Sequence, residues 1–400
     1  MGRKKVDIWS DVGEILDTSI QQVRKQEDGA VLHLGARKEW NNAACEREME
    51  VTIEDLLRDD YYLGEYNIWP SIMGELEEVW HRRCDHEVYY YRDTETGKRQ
   101  IKHDSVYALS YEHAKRKSMA KWPGFAEEAT EIDVRRPNGI HTVCIECPKG
   151  TGKNFESALI IWLLTREFLI QDRVEFFSPY NLDLGTTIAI ITANRTEQQA
   201  REVTFKEILP KMQSPFFMDY FPPQVDLKEI EQSRRFPREL RFPRNVVIFP
   251  GTGSAASGLG YCVGASIIDE ANFLARSSTG KQSIMGADVY DAASETYSDL
   301  FQRMESRFGA IRHGEMNYAG ISTVISSSRT YQDFTQEMMR RSRHNKGIFY
   351  SRLPFWDRKP LALSGETFEF DTANMQVLNQ SNALERKEKL GAMPEGLEAD

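Results

Sequence analysis

The feature that most constrains this chain is the stretch from residue 141 to 169, HTVCIECPKGTGKNFESALIIWLLTREFL. His141 to Cys147 is a short apolar run rich in β-formers; Pro148, Gly150 and Gly152 interrupt it, and a sustained helical pattern follows. Strand, glycine-bearing loop and helix in that order are the layout of a phosphate-binding loop. Gly150 and Gly152 allow the backbone to turn its N–H groups inward, and together with the helix N-terminus and the Lys153 ammonium they would hold a triphosphate. Pro148, Lys149, Gly150, Thr151, Gly152, Lys153 and Asn154 are therefore the candidate nucleotide-binding residues. The helix sets Phe155, Ala158, Leu159, Trp162 and Leu163 on one face, widened by Ile160, Ile161 and Leu164, and must pack against a sheet. Against the pattern GxxxxGK[ST], Cys147 stands where the first glycine belongs and Asn154 where the magnesium-binding hydroxyl belongs. Alone, the stretch also fits a plain strand-to-helix turn.

A second motif supplies the chemistry that such a loop needs. In GASIIDEANFL, residues 264–274, Ser266 to Ile268 is a short apolar strand ending in Asp269 and Glu270, and strand ends are where doubly wound sheets hold ligands. Asp269 would hold Mg2+ directly or through water, and Glu270 would point the other way along the strand end and polarise the attacking water. TTIAIITAN (186–194) reads as another buried strand, followed by a helix whose Thr196 and Gln199 resemble a capping box. A further strand, AGISTVISSSRT (319–330), ends in Ser326, Ser327 and Ser328, hydroxyls able to sense a γ-phosphate. Strands alternating with helices predict an α/β fold, a mainly parallel sheet with helices on both faces.

Elsewhere the sequence bounds the answer more than it fixes it. Lys and Arg number 51 against 61 Asp and Glu, a net charge of −10, so any nucleic-acid contact must be local rather than a basic coat. The polar start has no apolar signal core, no apolar run reaches the ~18 residues of a membrane span, and the chain reads as cytoplasmic. Cys144 and Cys147 form CxxC; zinc would require a second pair, with Cys84 and His86 the nearest candidates, and inside a buried strand the two read as core thiols. Residues 1–60 read as an N-terminal extension, 84–121 as an insertion containing a hairpin with its turn at Thr96 and Gly97, and 361–400 as a tail. Trp69 and Pro70 open a helix, with Tyr62 or Trp69 available to an adenine ring. Lys115, Arg116, Lys117 and Lys121 form a positive cluster read as a solvated face rather than a DNA contact. Arg234, Arg235, Arg238, Arg241 and Arg244 crowd a proline-rich edge hairpin and include candidates for an arginine finger reaching a neighbouring subunit.

PKGTGKNF, IIDEANF preceded by GTGSAASGLG, and ISTVISSS, in that order, resemble the ATPase part of bacteriophage terminase large subunits, over roughly residues 60–360. That resemblance implies an additional-strand, catalytic-glutamate (ASCE) P-loop NTPase that uses ATP and Mg2+ to move double-stranded DNA into a procapsid. By the same resemblance Lys153 corresponds to the phosphate-binding lysine, Lys149 to the family's basic loop residue, and Asp269 and Glu270 to the Walker B pair. Ser326–Ser328 correspond to the coupling motif, and Asn154 takes the place of the Mg2+-ligating hydroxyl. The implied partners are a portal protein, a small terminase subunit and further copies in a ring on the portal, with a monomer in isolation, all in the host cytoplasm. The family's nuclease domain follows its ATPase region; the residues after 360 are too few for one, so no nuclease activity is expected of this chain, and Glu366, Glu369 and Asp371 read as a solvated strand. A helicase-like motor and a degenerate nucleotide-binding scaffold, with Cys147 and Asn154 marking lost catalysis, are the alternatives.

Overall fold

The computed structural model describes residues 37–93, 99–136, 139–201, 206–224, 239–252, 261–274, 276–277, 290–312, 315–328, 333–358, 366–371, 376–382 and 397–399. The described chain begins with two short helices, α1 (Asn42–Met49) and α2 (Ile53–Arg58), started by Asn41 and Thr52, whose side-chain oxygens accept backbone N–H bonds. Helix α3 (Pro70–Cys84) has Pro70 in its first turn, where the missing N–H costs nothing. An antiparallel pair, β1 (Asp85–Asp93) and β2 (Arg99–Tyr107), follows; the expected turn at Thr96 and Gly97 lies outside the described residues. Helix α4 (Tyr111–Lys121) packs on this pair, and β3 (Glu131–Arg135) adds to the free side of β1, giving the order β2-β1-β3. The separate small core of Val88, Tyr90, Val106, Tyr111, Ala114 and Val134 explains why the unit runs on to Arg135, past the expected limit of 121. Its basic helix is discharged on carboxylates: Lys117 meets Glu50, Arg116 meets Glu175 and Lys121 meets Asp104.

The main sheet starts at β4 (Thr142–Glu146) and continues through α5 (Lys153–Ile170), β5 (Ile188–Asn194), β6 (Leu240–Phe242), β7 (Val246–Thr252) and β8 (Cys262–Asp269). It is completed by α6 (Ala292–Phe308), β9 (Ile321–Ser326), α7 (Phe334–Ser342) and β10 (Ile348–Arg352). Seven strands run in the order β10-β4-β9-β8-β5-β7-β6, all parallel except β6, which turns back along β7 as the proline-rich edge. Insertion of β9 between the loop strand β4 and the acidic strand β8 is the ASCE arrangement.

Alternation along the strands feeds two cores. Val143, Ile145, Ile190, Ile267 and Ile325 face α5, whereas Cys144, Ala189, Ile191, Ile268 and Val324 face α6 and α7. Cys144 and Cys147 therefore belong to opposite faces, and cannot clamp one tetrahedral ion. Helix α5 is buried on all sides rather than on one stripe, because Ala44, Met49, Leu56 and Leu57 of α1 and α2 join its outer face. That part of the stretch read as an extension thus completes the core. Two of its charged positions are matched internally: Arg166 pairs with Glu48 at 2.9 Å, and Glu167 accepts three bonds from Arg83, at 2.7, 2.9 and 3.2 Å.

Contacts divide the chain after Arg352, and the second unit, Leu353–Asp400, carries an antiparallel sheet of β11 (Glu366–Asp371), β12 (Gln376–Asn382) and β13 (Leu397–Ala399). Glu366, Glu369 and Asp371 lie on β11, with their side chains outside the described ones. Among the described residues no helix is long and apolar enough to cross a membrane.

Removal of one partner from the buried Arg83–Glu167 pair strands the other charge. Arg83→Leu should destabilise the fold by about 3–5 kcal/mol, whereas the double change Arg83→Leu with Glu167→Leu should cost less. Denaturant midpoints of the single and double variants check this.

Candidate nucleotide site

The loop between β4 and α5 takes its shape from two left-handed glycines, Gly150 at φ 81° and Gly152 at φ 80°. Gly152 is constrained twice, since a Cβ there would also come within 3.2 Å of Trp69 Cζ3 and 3.6 Å of Ile72 Cδ1. Thr151 is fully buried and its hydroxyl donates to the Pro148 carbonyl at 2.6 Å, closing the loop on itself. Lys149 is exposed on the rim, and Asn154 lies half-buried in the first turn of α5 beside Lys153. Of the two aromatic residues considered for an adenine ring, Trp69 lies against the loop. Tyr62 is a core residue instead: its hydroxyl donates to Glu48 at 2.9 Å and its ring packs on Trp162 and Phe216.

Lys153 is only 6% exposed, and its ammonium gathers the other motifs. It donates to Ser327 Oγ at 2.8 Å and to the Pro148 carbonyl at 3.3 Å, and lies 3.6 Å from Glu270 Oε1. Glu270 adopts φ 52°, a left-handed conformation rare outside glycine, which ends β8. In a continuing strand its side chain would leave on the face opposite Asp269. The left-handed turn instead brings it back to Lys153, so the expected divergence of the two carboxylates becomes convergence.

Asp269 is 2% exposed, and its carboxyl is pushed up to about 7 by burial first and the neighbouring Glu270 charge second, against the pull of Lys153. Asn194, ending β5, donates to Asp269 Oδ2 at 3.2 Å, while Asp269 Oδ1 and Glu270 Oε2 are buried without a hydrogen-bond partner. The unpartnered Asp269 Oδ1 is a hard donor that fits a magnesium ion taking most of its ligands from phosphate and water, and the unpartnered Glu270 Oε2 fits an acceptor for a water proton.

The three serines have distinct tasks. Ser327 faces Lys153; Ser326 Oγ accepts the Asn272 backbone N–H at 3.0 Å; Ser328 donates to Glu146. Asn272, two residues beyond Glu270, also donates to the Ser327 carbonyl and to Thr335 Oγ1, both at 2.9 Å, tying the acidic turn, the serine segment and the start of α7 together. Sequence reading missed Asn194, Asn272 and Glu146; the first and last were visible only as polar residues ending apolar strands.

Among the described residues, the two arginines of the proline-rich edge are committed elsewhere. Arg244 donates to the carbonyls of Leu169 and Gln171 at the C-terminal end of α5. That helix has 18 residues, which puts ~27 Å between Arg244 and the loop. In this chain the Arg244 guanidinium acts as a helix cap. Arg241 pairs with Glu239 on the edge strand, and Arg234, Arg235 and Arg238 lie outside the described residues, as does most of GTGSAASGLG. A cavity of about 720 Å³ lined by His141, Phe301 and Tyr318 opens at the opposite, N-terminal end of the strands, away from the acidic pair.

A glycine loop at the end of one parallel strand, with an acidic pair two strands away, defines a P-loop nucleotide-binding domain. The chain belongs to the family described as "Uncharacterized protein MJ0330, N-terminal P-loop domain", whose model matches residues 98–381. No curated protein matches it. Among solved structures it is similar to a large terminase from a thermophilic bacteriophage, at 9% identity and a TM-score of 0.34, over 57% of this chain and 44% of that one. It is also similar to the HK97 bacteriophage large terminase (13%, TM-score 0.33, 64% and 44%) and to the Thermus phage P74-26 large terminase ATPase domain (12%, 0.33, 56% and 80%). The chain therefore spans less than half the length of the first two.

The raised Asp269 gives a signed pH dependence. Because its carboxyl titrates near 7 in the fold against 3.8 in its absence, the folded state loses stability as pH rises from about 4 to 7 and stays lowered above. Asp269→Asn should remove that penalty, raising nucleotide-free stability by up to about 4 kcal/mol at pH 8 and by less at pH 5. Thermal melts at the two pH values check the sign.

Proposed function

We propose that this chain is a magnesium-dependent ATPase that couples hydrolysis to the movement of double-stranded DNA, the motor of a viral terminase large subunit filling a procapsid. The observation that carries the hydrolytic part is the meeting of Lys153, Glu270 and Ser327 at the C-terminal edge of the sheet. The motor part is supported by the order of the loop, the acidic strand and the serine strand along the chain, with partners of the kind such a motor requires: a portal protein, a small terminase subunit and further copies in a ring.

The geometry supports the following roles. The loop amides and Lys153 would hold the β- and γ-phosphates, with Lys149 at the rim. Asp269, with Asn154, would hold Mg2+, which when bound neutralises phosphate charge. Glu270, freed from Lys153 when phosphate takes the ammonium, orients a water and accepts its proton. Ser327 exchanges Lys153 for the terminal phosphate, and Asn272 passes that change to α7.

ATP turnover measured with and without double-stranded DNA tests this reading. Turnover should depend on Mg2+ and rise with DNA. Lys153→Ala should lose both binding and turnover, whereas Glu270→Gln should lose turnover and keep ATP; near-normal hydrolysis by the glutamine variant would remove Glu270 from its role. Asn154→Thr should preserve or raise the rate, since a hydroxyl also offers Mg2+ a neutral oxygen. Loss of activity in a folded Asn154→Thr protein would show a site rebuilt around the amide.

A further inference from the structure

Glu146 ends β4, immediately before the loop, and is 1% exposed. Its carboxylate nevertheless collects donors from three segments: Ser328 Oγ, Gln336 Nε2 at 2.7 Å, Tyr350 OH at 3.1 Å, and Arg352 Nε, 3.2 Å from Oε1. A carboxylate this buried is held by a counter-charge, and Arg352 is the cation paired with it. The arginine itself is not buried. Its side chain remains 55% exposed, and among the described residues no hydrogen bond to another group holds its guanidinium.

The register places Arg352 and Ser326 on either side of Glu146, in one row along the edge where the loop begins. Ser328 shares Oε1 with Arg352 and follows Ser327, which takes the Lys153 ammonium. One carboxylate and the link between Ser327 and Ser328 therefore separate Arg352 from the phosphate-binding lysine. Adjacent strands lie ~4.8 Å apart, within an arginine's span. Arg241, by contrast, is on β6, five strands from β4, or ~24 Å.

We propose that Arg352 is a catalytic residue that the chain supplies to its own site, resting on Glu146 and swinging to the terminal phosphate of ATP. This rests on the hydrolytic reading above and names a residue for it. In the step it serves, the water oxygen bonds to the γ-phosphorus as the bond from that phosphorus to the β–γ bridging oxygen breaks. The bridging oxygen keeps the electron pair and leaves on ADP, and the water's proton goes to Glu270. Arg352 neutralises charge on the transferring group, a task suited to a planar fork of donors. Glu146 is a positioning residue, keeping the guanidinium at the edge of the sheet until a more strongly charged anion competes for it.

The test compares Arg352→Ala, Arg352→Lys and Glu146→Gln in the full chain, each checked for folding by circular dichroism. Single-turnover hydrolysis is measured, together with ATP and ADP affinities in a Glu270→Gln background. Arg352→Ala should lose about 10²–10³-fold in rate, Arg352→Lys should recover part of it, and Arg352→Ala should weaken ATP more than ADP. Glu146→Gln, which weakens the resting partner competing with the terminal phosphate, should shift the ATP-to-ADP ratio toward ATP, and an unchanged ratio would remove Glu146 from its positioning role. Mixing Arg352→Ala with Lys153→Ala subunits should restore nothing, because both residues serve the same site. A wild-type rate for Arg352→Ala, equal weakening of ATP and ADP, or rescue in the mixture would overturn the proposal. Should the unsubstituted chain show no turnover that Lys153→Ala abolishes, the hydrolytic reading falls; the ATP-to-ADP ratio then still decides whether Arg352 meets the terminal phosphate.

Discussion

The arrangement depends on one ammonium group. Lys153 is nearly buried, and a buried cation must be surrounded by acceptors or lose its charge. Its acceptors come from three places in the sequence: the loop itself, the end of β8 and the segment after β9. These can meet only if the three strands end at the same height, and the register provides that, with Ser326 opposite Glu146 and Ile325 opposite Asp269. The parallel sheet is thus the device that converts three distant motifs into one site.

Local features of this fold were legible because they are written in short-range chemistry. The apolar run before the loop, the paired glycines and the long helical pattern predict β4, the turn and α5 at the places they occupy. Thr196 caps its helix through the Gln199 N–H as its spacing implies. Features that depend on partners distant in sequence were not legible. The polar positions of α5 find their partners on α1 and α3, so a helix that reads as one-sided is buried all round. Arg244, one of five similar arginines by sequence, is committed to carbonyls some seventy residues away. The left-handed turn at Glu270 has no signature in its residue type, since glutamate gains nothing from that conformation.

Strain, burial and unsatisfied oxygens accumulate at the acidic pair, and their distribution is informative. Backbone strain at Glu270 and the desolvated carboxyl of Asp269 both cost stability, and the surrounding packing offsets them. Polar side chains around them, Asn194, Asn272 and the serines, form bonds that fix orientation while leaving one oxygen of each acid without a partner. Such a site is poised for cationic and phosphate ligands that supply the missing interactions. The same pattern appears at Glu146, where a buried charge is satisfied by groups from the serine segment, α7 and β10.

Binding of a nucleotide should make Lys153, held by Ser327 and Glu270, exchange those partners for phosphates. A crystal structure with Mg2+ and a non-hydrolysable ATP analogue tests it most directly. The phosphates should be seated on the loop amides, with the Lys153 ammonium on their oxygens and no longer beside Glu270, and the metal on Asp269. An analogue bound elsewhere, or bound at the loop with the contacts from Lys153 to Ser327 and Glu270 unchanged, would contradict it.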